Sequence, residues 1–284
     1  MKDSEKKSSA KNSVRYGMKD LVYLMSRLRD PETGCPWDVK QTFESIVPST
    51  LEEVYELVEA IEKNDKANVQ EELGDVLLHV IFYSQMAAEE KSFTFDDVAH
   101  GIVEKLVRRH PHVFPSGDLY ENDSSQRNID EKTLFEQWDR IKQAEKGDKQ
   151  TLDANTGTLS GVPAALPALQ RSYKIQKKLA AVGFDWKNKE ELFPVVESEL
   201  QEFKHATDSR VQEDVEEELG DVLFAIVNLA RHYKIEPETA LRRANRKVEQ
   251  RFAYIEEQLK QQGKTPAQAS MKEMELLWQA AKKV

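Results

Sequence analysis

The sequence predicts an all-α protein built from two tandem helical bundles. Apolar residues recur at helical spacing in several long segments, and stretches containing proline, glycine and polar residues separate those segments. A set of four carboxylates also occurs twice, and every member of the second set lies 146 residues after its counterpart in the first. A chain of 284 residues suits two domains of ordinary size, and a repeat at about half that length supports the same division.

Composition divides the chain into a tail, two domains and a linker. The first dozen residues are mostly charged residues and serines, which cannot offset the entropy lost on ordering, so we expect residues 1–16 to be a disordered tail. The polar segment KGDKQTLDANTGTLSG, residues 146–161, has the composition of a linker. The expected domains are therefore residues 17–145 and residues 162–284.

The first two predicted helices have recognisable ends. Helical spacing of apolar residues begins at about Met18, and the proline-containing segment DPETGCPWD should end that helix before Pro31. For the next helix, Ser49 is the expected N-cap, because Glu52 follows three residues later and completes a capping box. The expected buried stripe of this second helix consists of Leu51, Val54, Leu57, Val58 and Ile61.

The third predicted helix, from about residue 68 to 89, is apolar on almost every face, which indicates a central position in its bundle. Residues 219–229 show the same pattern in the second domain. Glu72 and Asp75 are thus polar residues held against a core, and so are their counterparts in the second copy. Buried carboxylates are unfavourable without a partner or a metal ion, so these helices indicate a functional site.

The repeated acidic set is the most specific feature of the chain. Each pair of carboxylates is spaced three residues apart, so its two side chains project from one face of a helix. Two helices that meet along such faces gather four carboxylates, which repel one another unless cations lie between them. Mg²⁺ prefers such oxygen ligands, and Mn²⁺ is an alternative. The sequence therefore predicts a metal site, in one or two copies, with candidate ligands Glu53, Glu56, Glu72 and Asp75 in the first copy and Glu199, Glu202, Glu218 and Asp221 in the second.

Basic and aromatic residues recur downstream of both acidic sets. Two cations four residues apart share a helical face, which suits a polyphosphate. A tryptophan followed four residues later by a lysine could stack on a nucleobase while the lysine meets a phosphate. A packed tryptophan beside a solvated lysine would leave the same pattern, so both interpretations stay open. The candidate residues are Lys105, Arg109, Trp138 and Lys142 in the first copy and Lys247, Arg251, Trp278 and Lys282 in the second.

One aligned position distinguishes the two copies. Asn228 follows the second acidic pair on the same predicted helix, and its counterpart in the first copy is Phe82. An amide can bind a metal ion or a substrate oxygen, whereas a phenyl ring cannot. The difference favours activity in the second copy and makes Asn228 a candidate substrate-binding residue.

Composition argues against several other functions. Acidic residues outnumber basic ones by 51 to 41, a formal net charge of −10, which argues against general binding to nucleic acid. No apolar run approaches the roughly 20 residues that span a bilayer, and the polar amino terminus lacks the core of a signal peptide. We therefore expect no membrane partner and a cytoplasmic location. The single cysteine, Cys35, excludes an intramolecular disulfide and a thiolate metal cluster.

Several longer motifs resemble the MazG family of nucleoside triphosphate pyrophosphohydrolases, within the all-α NTP pyrophosphatase superfamily. The resemblance runs from about Gly17 to the carboxyl terminus, and the motifs together are far more specific than an isolated ExxE. They are RLRDPETGCPWD (27–38), TLEEVYELVEAI (50–61), EELGDVLLHVIFYSQMA (71–87), RRHPHVF (108–114), LPALQRSYKIQKKLAAVGFDW (166–186), EEELGDVLFAIVNLAR (216–231) and ANRKVEQRF (244–252).

The resemblance implies two MazG-like helical domains, a homodimer, and Mg²⁺-dependent hydrolysis of a broad range of NTPs and dNTPs. The bond expected to break lies between the α and β phosphates, so the products are a nucleoside monophosphate and pyrophosphate. Catalysis is expected in the second, carboxyl-terminal copy. The first copy keeps all four carboxylates together with Lys105, Arg109 and Trp138, so the sequence leaves open whether it is structural, regulatory or active.

Roles for the residues of the second copy follow from the resemblance. Its four carboxylates would hold Mg²⁺, and one of them, which the sequence does not identify, would orient or deprotonate the attacking water. Lys247 and Arg251 would neutralise the phosphates with support from Lys282. Trp278 would lie close to the base or the ribose.

Two other classes of protein share parts of this pattern. A carboxylate-bridged di-iron bundle requires Glu-x-x-His pairs, which neither ExxD motif supplies. A helical module that binds nucleotides or another protein without hydrolysis would keep the same residues, and product formation would distinguish it from an enzyme. Within the hydrolases, the resemblance favours a broad range over enzymes for dUTP, dCTP or phosphoribosyl-ATP. It suggests nucleotide-pool clean-up or control of nucleotide levels under stress.

Overall fold

The computed structural model describes residues 15–120, 130, 133–134, 137–138, 140–141, 145, 157–209 and 211–283. All regular structure in these ranges is helical, and the chain divides into two compact units, Met1–Lys146 and Gly147–Val284. The prediction of an all-α fold with two tandem helical units is therefore confirmed. Most of the expected tail, most of the expected linker and Lys142 lie outside the described residues.

Five helices of the first unit are described over their whole length: α1 (Met18–Leu28), α2 (Pro36–Lys40), α3 (Phe43–Lys63), α4 (Lys66–Glu89) and α5 (Phe95–Arg109). Helix α1 ends before Pro31, as predicted. Helix α4 packs against α1, α3 and α5, so it has the central position that its apolar sequence predicts. The core that α1, α3 and α4 share consists of Met25, Ile46, Ile81, Phe82 and Met86.

The prediction that Ser49 caps the second long helix is wrong, because α3 begins at Phe43. Its N-cap is Thr42, whose hydroxyl accepts a hydrogen bond from the Ser45 amide, while the Ser45 hydroxyl accepts one from the Thr42 amide at 2.8 Å. Pro48 lies inside the helix. This reciprocal cap and the burial of Ile46 stabilise the turns before Pro48, which removes only one intrahelical hydrogen-bond donor.

The predicted buried stripe of α3 is wrong in part. Leu51, Val54 and Ile61 are exposed, with relative accessibilities of 51, 39 and 58 %. The face turned toward α4 carries Glu53, so the apolar residues beside it face outward. This face follows the helical spacing of Ile46, Thr50, Glu53, Leu57 and Ala60, all of which are buried or half-buried.

Five helices of the second unit are described: α6 (Ala168–Ala181), α7 (Leu192–Ser209), α8 (Gln212–His232), α9 (Pro237–Gln261) and α10 (Met271–Ala281). Helices α7 and α8 pack closely along each other, α6 packs against α8 and α9, and α10 packs against α9. Helix α8 is less enclosed than its sequence predicts, because Leu219, Leu223 and Ile226 are exposed. None of the described helices has the length and apolar character needed to cross a membrane.

Candidate functional site

The acidic pairs are brought together by packed pairs of helices. Only Asn64 and Asp65 separate α3 from α4, so the chain reverses direction sharply between them. Asn64 adopts a left-handed conformation with φ 58°, and the Asp65 carboxylate caps α4 by accepting hydrogen bonds from the amides of Ala67 and Asn68. The pair on α3 consequently lies opposite the pair on α4. Helices α7 and α8 pack on each other in the second unit and place their acidic pairs in the same way.

Three carboxylates in each unit lie close enough to share a cation. Each side chain offers one oxygen, and these oxygens lie within 4.8 Å of one another in each triad. The middle glutamate of each triad is exposed and the other two are half-buried. The triads are Glu53, Glu56 and Glu72 in the first unit and Glu199, Glu202 and Glu218 in the second.

Electrostatics in the second unit favour a bound cation. Burial raises the pKa of Glu199, and the charges of Glu202, Asp221 and Glu218 raise it further. Burial also raises the pKa of Glu218, with the next largest effects from Glu202 and Asp221. The fourth predicted carboxylate, Asp221, is therefore close enough to act on the triad. Like charges held together in this way are stabilised by a divalent cation, and the oxygen-only set of side chains fits one.

The first unit has the same electrostatic pattern. Burial raises the pKa of Glu53, and Asp75 is the neighbouring carboxylate with the largest effect. Burial and the charges of Glu56 and Asp75 raise the pKa of Glu72. Both units therefore hold a set of carboxylates that fits a divalent cation.

Of the predicted cations of the first unit, Arg109 is engaged with another carboxylate, and Lys105 is half-buried on α5. Glu145 accepts hydrogen bonds from Arg109, with a closest Nη2 to Oε2 distance of 2.5 Å, and also from Arg108 at 2.8 Å. These two arginines lower the pKa of Glu145 to about 2. Trp138 packs edge-on against His110, with ring centroids 5.3 Å apart. Arg109 is therefore already neutralised within its own unit.

The predicted cations of the second unit have different partners. The Arg251 guanidinium lies over the Trp278 ring, 5.3 Å from its centroid, and the Lys282 ammonium donates to Gln279 Oε1 at 3.0 Å. Lys247 is exposed on α9. Within the described residues, no hydrogen bond or ion pair joins these cations to the acidic triad.

A pocket beside α8 was not predicted from the sequence. It has a volume of about 290 Å³ and lies between α6, the segment after α6, and α8. Asn228 is one of its lining residues, and the side chain reaches it from α8, two turns beyond Asp221. The other lining residues are Gln176, Leu179, Gly183, Phe184, Asp185, Trp186 and Phe224.

The turn that forms one wall of the pocket depends on Gly183. The Gly183 amide donates to the Ala180 carbonyl and the Phe184 amide donates to the Leu179 carbonyl, which is a Schellman ending of α6. Gly183 has φ 88°, a left-handed conformation that favours glycine. This ending directs residues 184–186 back toward α8.

A polar network holds the same wall against α8. The Asp185 carboxylate accepts hydrogen bonds from the Arg231 guanidinium and pairs with His232 Nε2 at 3.0 Å. Burial acts to raise the pKa of Asp185, but the hydrogen bonds from Arg231 and His232 outweigh it and leave the pKa lowered. Arg231 also donates to Asn228 Oδ1 at 2.8 Å. Asp185, Arg231 and Asn228 thus form one connected unit.

Gln176 is the functional candidate that the sequence reasoning missed. It is the buried residue of α6, with 3 % relative accessibility, and its Nε2 donates to the Phe224 carbonyl at 2.8 Å. Its Oε1 is buried and has no hydrogen-bond partner in the described part of the chain. The signal in the sequence is a glutamine on the apolar face of α6, three residues after Tyr173 and three before Leu179.

The corresponding place in the first unit is filled by apolar side chains. Phe82, which aligns with Asn228, is 4 % exposed and packs in the core with Met25. Met25 is the buried residue of α1, as Gln176 is of α6. The acidic triad is therefore common to both units, whereas the polar pocket beside α8 has an apolar core as its counterpart.

Comparison with known families identifies one match on both halves of the chain. The model of the MazG nucleotide pyrophosphohydrolase domain matches residues 41–114 and again residues 187–254. These two segments contain the acidic sets of the first and second units.

Curated relatives match nearly the whole chain. The nucleoside triphosphate pyrophosphohydrolase of Escherichia coli K12 is 44 % identical over 265 residues, which cover 93 % of this chain and 96 % of the relative. The nucleoside triphosphate pyrophosphohydrolase/pyrophosphatase MazG of Thermotoga maritima is 41 % identical over 263 residues, covering 93 % of this chain and 94 % of the relative. The YabN protein of Bacillus subtilis 168 is 43 % identical over 260 residues, which cover 91 % of this chain but 50 % of that protein.

Proposed function

The chain belongs to the MazG nucleotide pyrophosphohydrolase family, and we propose that it hydrolyses nucleoside triphosphates between the α and β phosphates. The products would be a nucleoside monophosphate and pyrophosphate. The observation that carries this proposal is the acidic triad of the second unit, one member of which, Glu218, lies on the same helix as two residues of a pocket with polar groups, Phe224 and Asn228. A cation site for phosphates and a separate cavity for the rest of a nucleotide are what this reaction requires.

The metal ion of the reaction is proposed to be Mg²⁺, with Mn²⁺ as a substitute. Glu199, Glu202 and Glu218 would hold it, with Asp221 beside them, because Mg²⁺ takes oxygen ligands and seldom requires an all-protein cage. When bound, Mg²⁺ supplies positive charge to the triphosphate. The residues of the first unit fit the same ion, so a second site remains part of the proposal.

The side chains of the second unit have different proposed roles in the reaction. A water molecule attacks the α phosphorus, and the bond from this phosphorus to the oxygen that bridges the α and β phosphates breaks. That oxygen leaves with the pyrophosphate. One carboxylate of the acidic set orients the water and accepts its proton. Lys247, Arg251 and Lys282 would neutralise phosphate charge, with Trp278 near the base or ribose.

A homodimer is proposed from the surface of the second unit. Leu219, Leu223 and Ile226 are exposed at spacings of four and three residues, so they form an apolar stripe along α8. A second copy of the chain would bury this stripe, and a self-complementary contact is the usual way in which a homodimer does so. The proposed substrates are NTPs and dNTPs in general, and the proposed role is nucleotide-pool clean-up or nucleotide control under stress.

The test is a product assay by ion-exchange chromatography with ATP and dTTP in Mg²⁺. It compares the wild type with Glu72→Gln, Glu218→Gln and the double variant, which are matched changes in the two units. Monophosphate and pyrophosphate that persist with Glu72→Gln but disappear with Glu218→Gln and with the double variant place the activity in the second unit. Loss only in the double variant means two working sites. Diphosphate with orthophosphate contradicts the assigned bond, and no product from folded protein favours a nucleotide-binding module without hydrolysis.

A further inference from the structure

The pocket beside α8 has the size and walls of a site for one flat ring. Its volume of about 290 Å³ lies just below the roughly 300–1,000 Å³ that small-molecule pockets occupy, so it suits one part of a nucleotide better than a whole triphosphate. Phe184, Trp186 and Phe224 line it, and all three rings are partly exposed to solvent. Aromatic faces of this kind stack on nucleobases.

One wall of the pocket carries a buried acceptor that has no hydrogen-bond partner among the residues that the structure describes. The Gln176 amide nitrogen donates to the Phe224 carbonyl, and because only the nitrogen can donate, the orientation of the amide is determined. Oε1 is therefore the atom left buried without a hydrogen bond. A buried polar atom in this state is unfavourable unless a ligand pairs with it.

A donor from α8 complements that acceptor. Asn228 Oδ1 accepts hydrogen bonds from Arg231 Nε at 3.2 Å and Nη2 at 2.8 Å, so its orientation is determined as well. Its amide nitrogen has no hydrogen-bond partner among the described residues. The pocket thus offers one acceptor and one donor, and nucleobases present the matching donor and acceptor side by side on their edges.

The position of the pocket suits a base whose phosphates reach the acidic triad. Phe224 and Asn228 follow Asp221 on α8 by three and seven residues, which is about 5 and 10 Å along the helix axis. Helix α6, which carries Gln176, also packs against α9, the helix of Lys247 and Arg251. A nucleotide with its base in the pocket can therefore extend its phosphates along α8 toward the carboxylates.

We infer that this pocket binds the nucleobase of the substrate, with Gln176 Oε1 accepting from an N–H of the base and Asn228 Nδ2 donating to a ring nitrogen or carbonyl. The inference rests on the proposed function and deepens it, since it names the residues that recognise the base. It also explains why the two units differ, because Met25 and Phe82 fill the corresponding place in the first unit with apolar atoms. Only the second unit recognises a base in this way.

The inference is tested with two substrates that differ in a single hydrogen-bonding group. Purine ribonucleoside triphosphate has the ring system of ATP without the exocyclic amino group, so its base carries no N–H for Gln176. The wild type should hydrolyse ATP with a kcat/KM roughly 5- to 150-fold higher than that for purine ribonucleoside triphosphate. This factor corresponds to the free energy of leaving a buried polar group unpaired. Gln176→Met removes the acceptor at similar volume and should bring the ratio of the two kcat/KM values close to one.

Gln170→Met is the matched control, because it makes the same change on α6 at a residue that does not line the pocket. It should keep the wild-type ratio. If Gln176→Met does not fold by circular dichroism, Asn228→Asp decides, since it keeps the acceptor for Arg231 and replaces the free donor. That variant should lower kcat/KM for ATP at least about 5-fold.

The outcomes separate this inference from the proposed function. Three outcomes would overturn the base pocket and leave the hydrolase activity unaffected. The first is a wild-type ratio of kcat/KM for ATP to that for purine ribonucleoside triphosphate close to one, and the second is the wild-type ratio in Gln176→Met. The third is an unchanged kcat/KM for ATP in Asn228→Asp. If folded wild-type protein forms no monophosphate and pyrophosphate from any triphosphate, the proposed function fails and the base pocket fails with it.

Discussion

Arg109 and Glu145 form a close ion pair in the first unit, with Arg109 Nη2 2.5 Å from Glu145 Oε2. The residue aligned with Arg109 in the second unit is Arg251, which instead lies over the Trp278 ring. A guanidinium that is already paired with a carboxylate is less available to a phosphate than one that stacks on an indole. The two units therefore share an acidic triad but differ in the cation that would meet a phosphate.

Removing the charge of Glu145 should destabilise the first unit in a pH-dependent way. The two arginines lower the pKa of Glu145 from its ordinary value near 4.5 to about 2. A carboxyl group whose pKa is lower in the folded than in the unfolded state stabilises the fold at pH values above its unfolded-state pKa. That stabilisation is lost as the pH falls from about 4.5 toward about 2. Glu145→Gln should therefore lower the thermal midpoint at pH 7 and differ less from the wild type at pH 3.

The exposed Glu256 offers a control, since Glu256→Gln changes the same charge and Glu256 forms no ion pair within the described ranges. Thermal unfolding followed by circular dichroism at pH 7, 5 and 3 provides the comparison. A Glu145→Gln midpoint that stays equally far below the wild type at pH 3 would contradict the assigned pKa.

Removing one charge from the second triad should stabilise the metal-free protein and weaken metal binding. Burial and like charges raise the pKa of Glu218, so its ionised form is unfavourable in the folded, metal-free state. At pH 7 the metal-free Glu218→Gln variant should unfold at a higher temperature than the wild type. The gap should close as the pH falls, because a raised folded-state pKa means that the wild type gains stability when Glu218 is protonated.

Magnesium should make the wild type more resistant to thermal unfolding than Glu218→Gln. Added Mg²⁺ should raise the midpoint of the wild type more than that of Glu218→Gln, because a ligand stabilises the state that binds it better. Turnover of ATP should fall at least about 100-fold in the variant. Glu197→Gln, an exposed change on the neighbouring helix, is the control for nonspecific charge effects. Equal midpoint shifts by Mg²⁺ in wild type and Glu218→Gln would count against a cation at this triad.

Two glycines of the second unit should respond to alanine with opposite signs. Gly183 has φ 88°, a conformation that costs a residue with a Cβ about 1–2 kcal/mol, so Gly183→Ala should destabilise the unit. Gly220 lies within α8, and a Cβ there would meet nothing within 4 Å. Gly220→Ala should therefore stabilise the metal-free unit by up to about 1 kcal/mol.

Urea unfolding of both variants without added metal measures these differences. Gly183→Ala should also raise the KM for ATP, because the Schellman turn positions Phe184 and Trp186 at the pocket. Equal stabilities of Gly183→Ala and the wild type would show that the turn tolerates a Cβ.

Breaking the network at Arg231 should affect both stability and substrate binding. Arg231 donates to Asp185 and to Asn228, so Arg231→Gln leaves a partly buried carboxylate without its guanidinium partner. The expected loss is about 1–3 kcal/mol of unfolding free energy. The KM for ATP should rise, because Asn228 is no longer held in its present orientation. Urea unfolding and steady-state kinetics test both effects, with Arg243→Gln as an exposed control on α9.

Much of the local structure could be predicted because it depends on neighbours in sequence. The end of α1 before Pro31 follows from the backbone restrictions of proline, and the three-residue spacing of Glu218 and Asp221 places both on one helical face wherever the helix lies. The start of α3 could not be predicted as reliably from the sequence. Thr42 and Ser49 both have the chemistry of an N-cap, and the packing of Ile46 in the core favours the earlier one.

The sequence by itself determined the all-helical class, the two units and the two acidic sets, because helical spacing and an internal repeat are properties of the chain alone. The tertiary structure decided which face of each helix meets a neighbour. Helical spacing groups side chains into faces, but the packing of α3 on α4 turned Glu53 inward and left Leu51 outward. The Gln176 pocket is a second case, because its walls come from segments nearly 50 residues apart that only packing brings together.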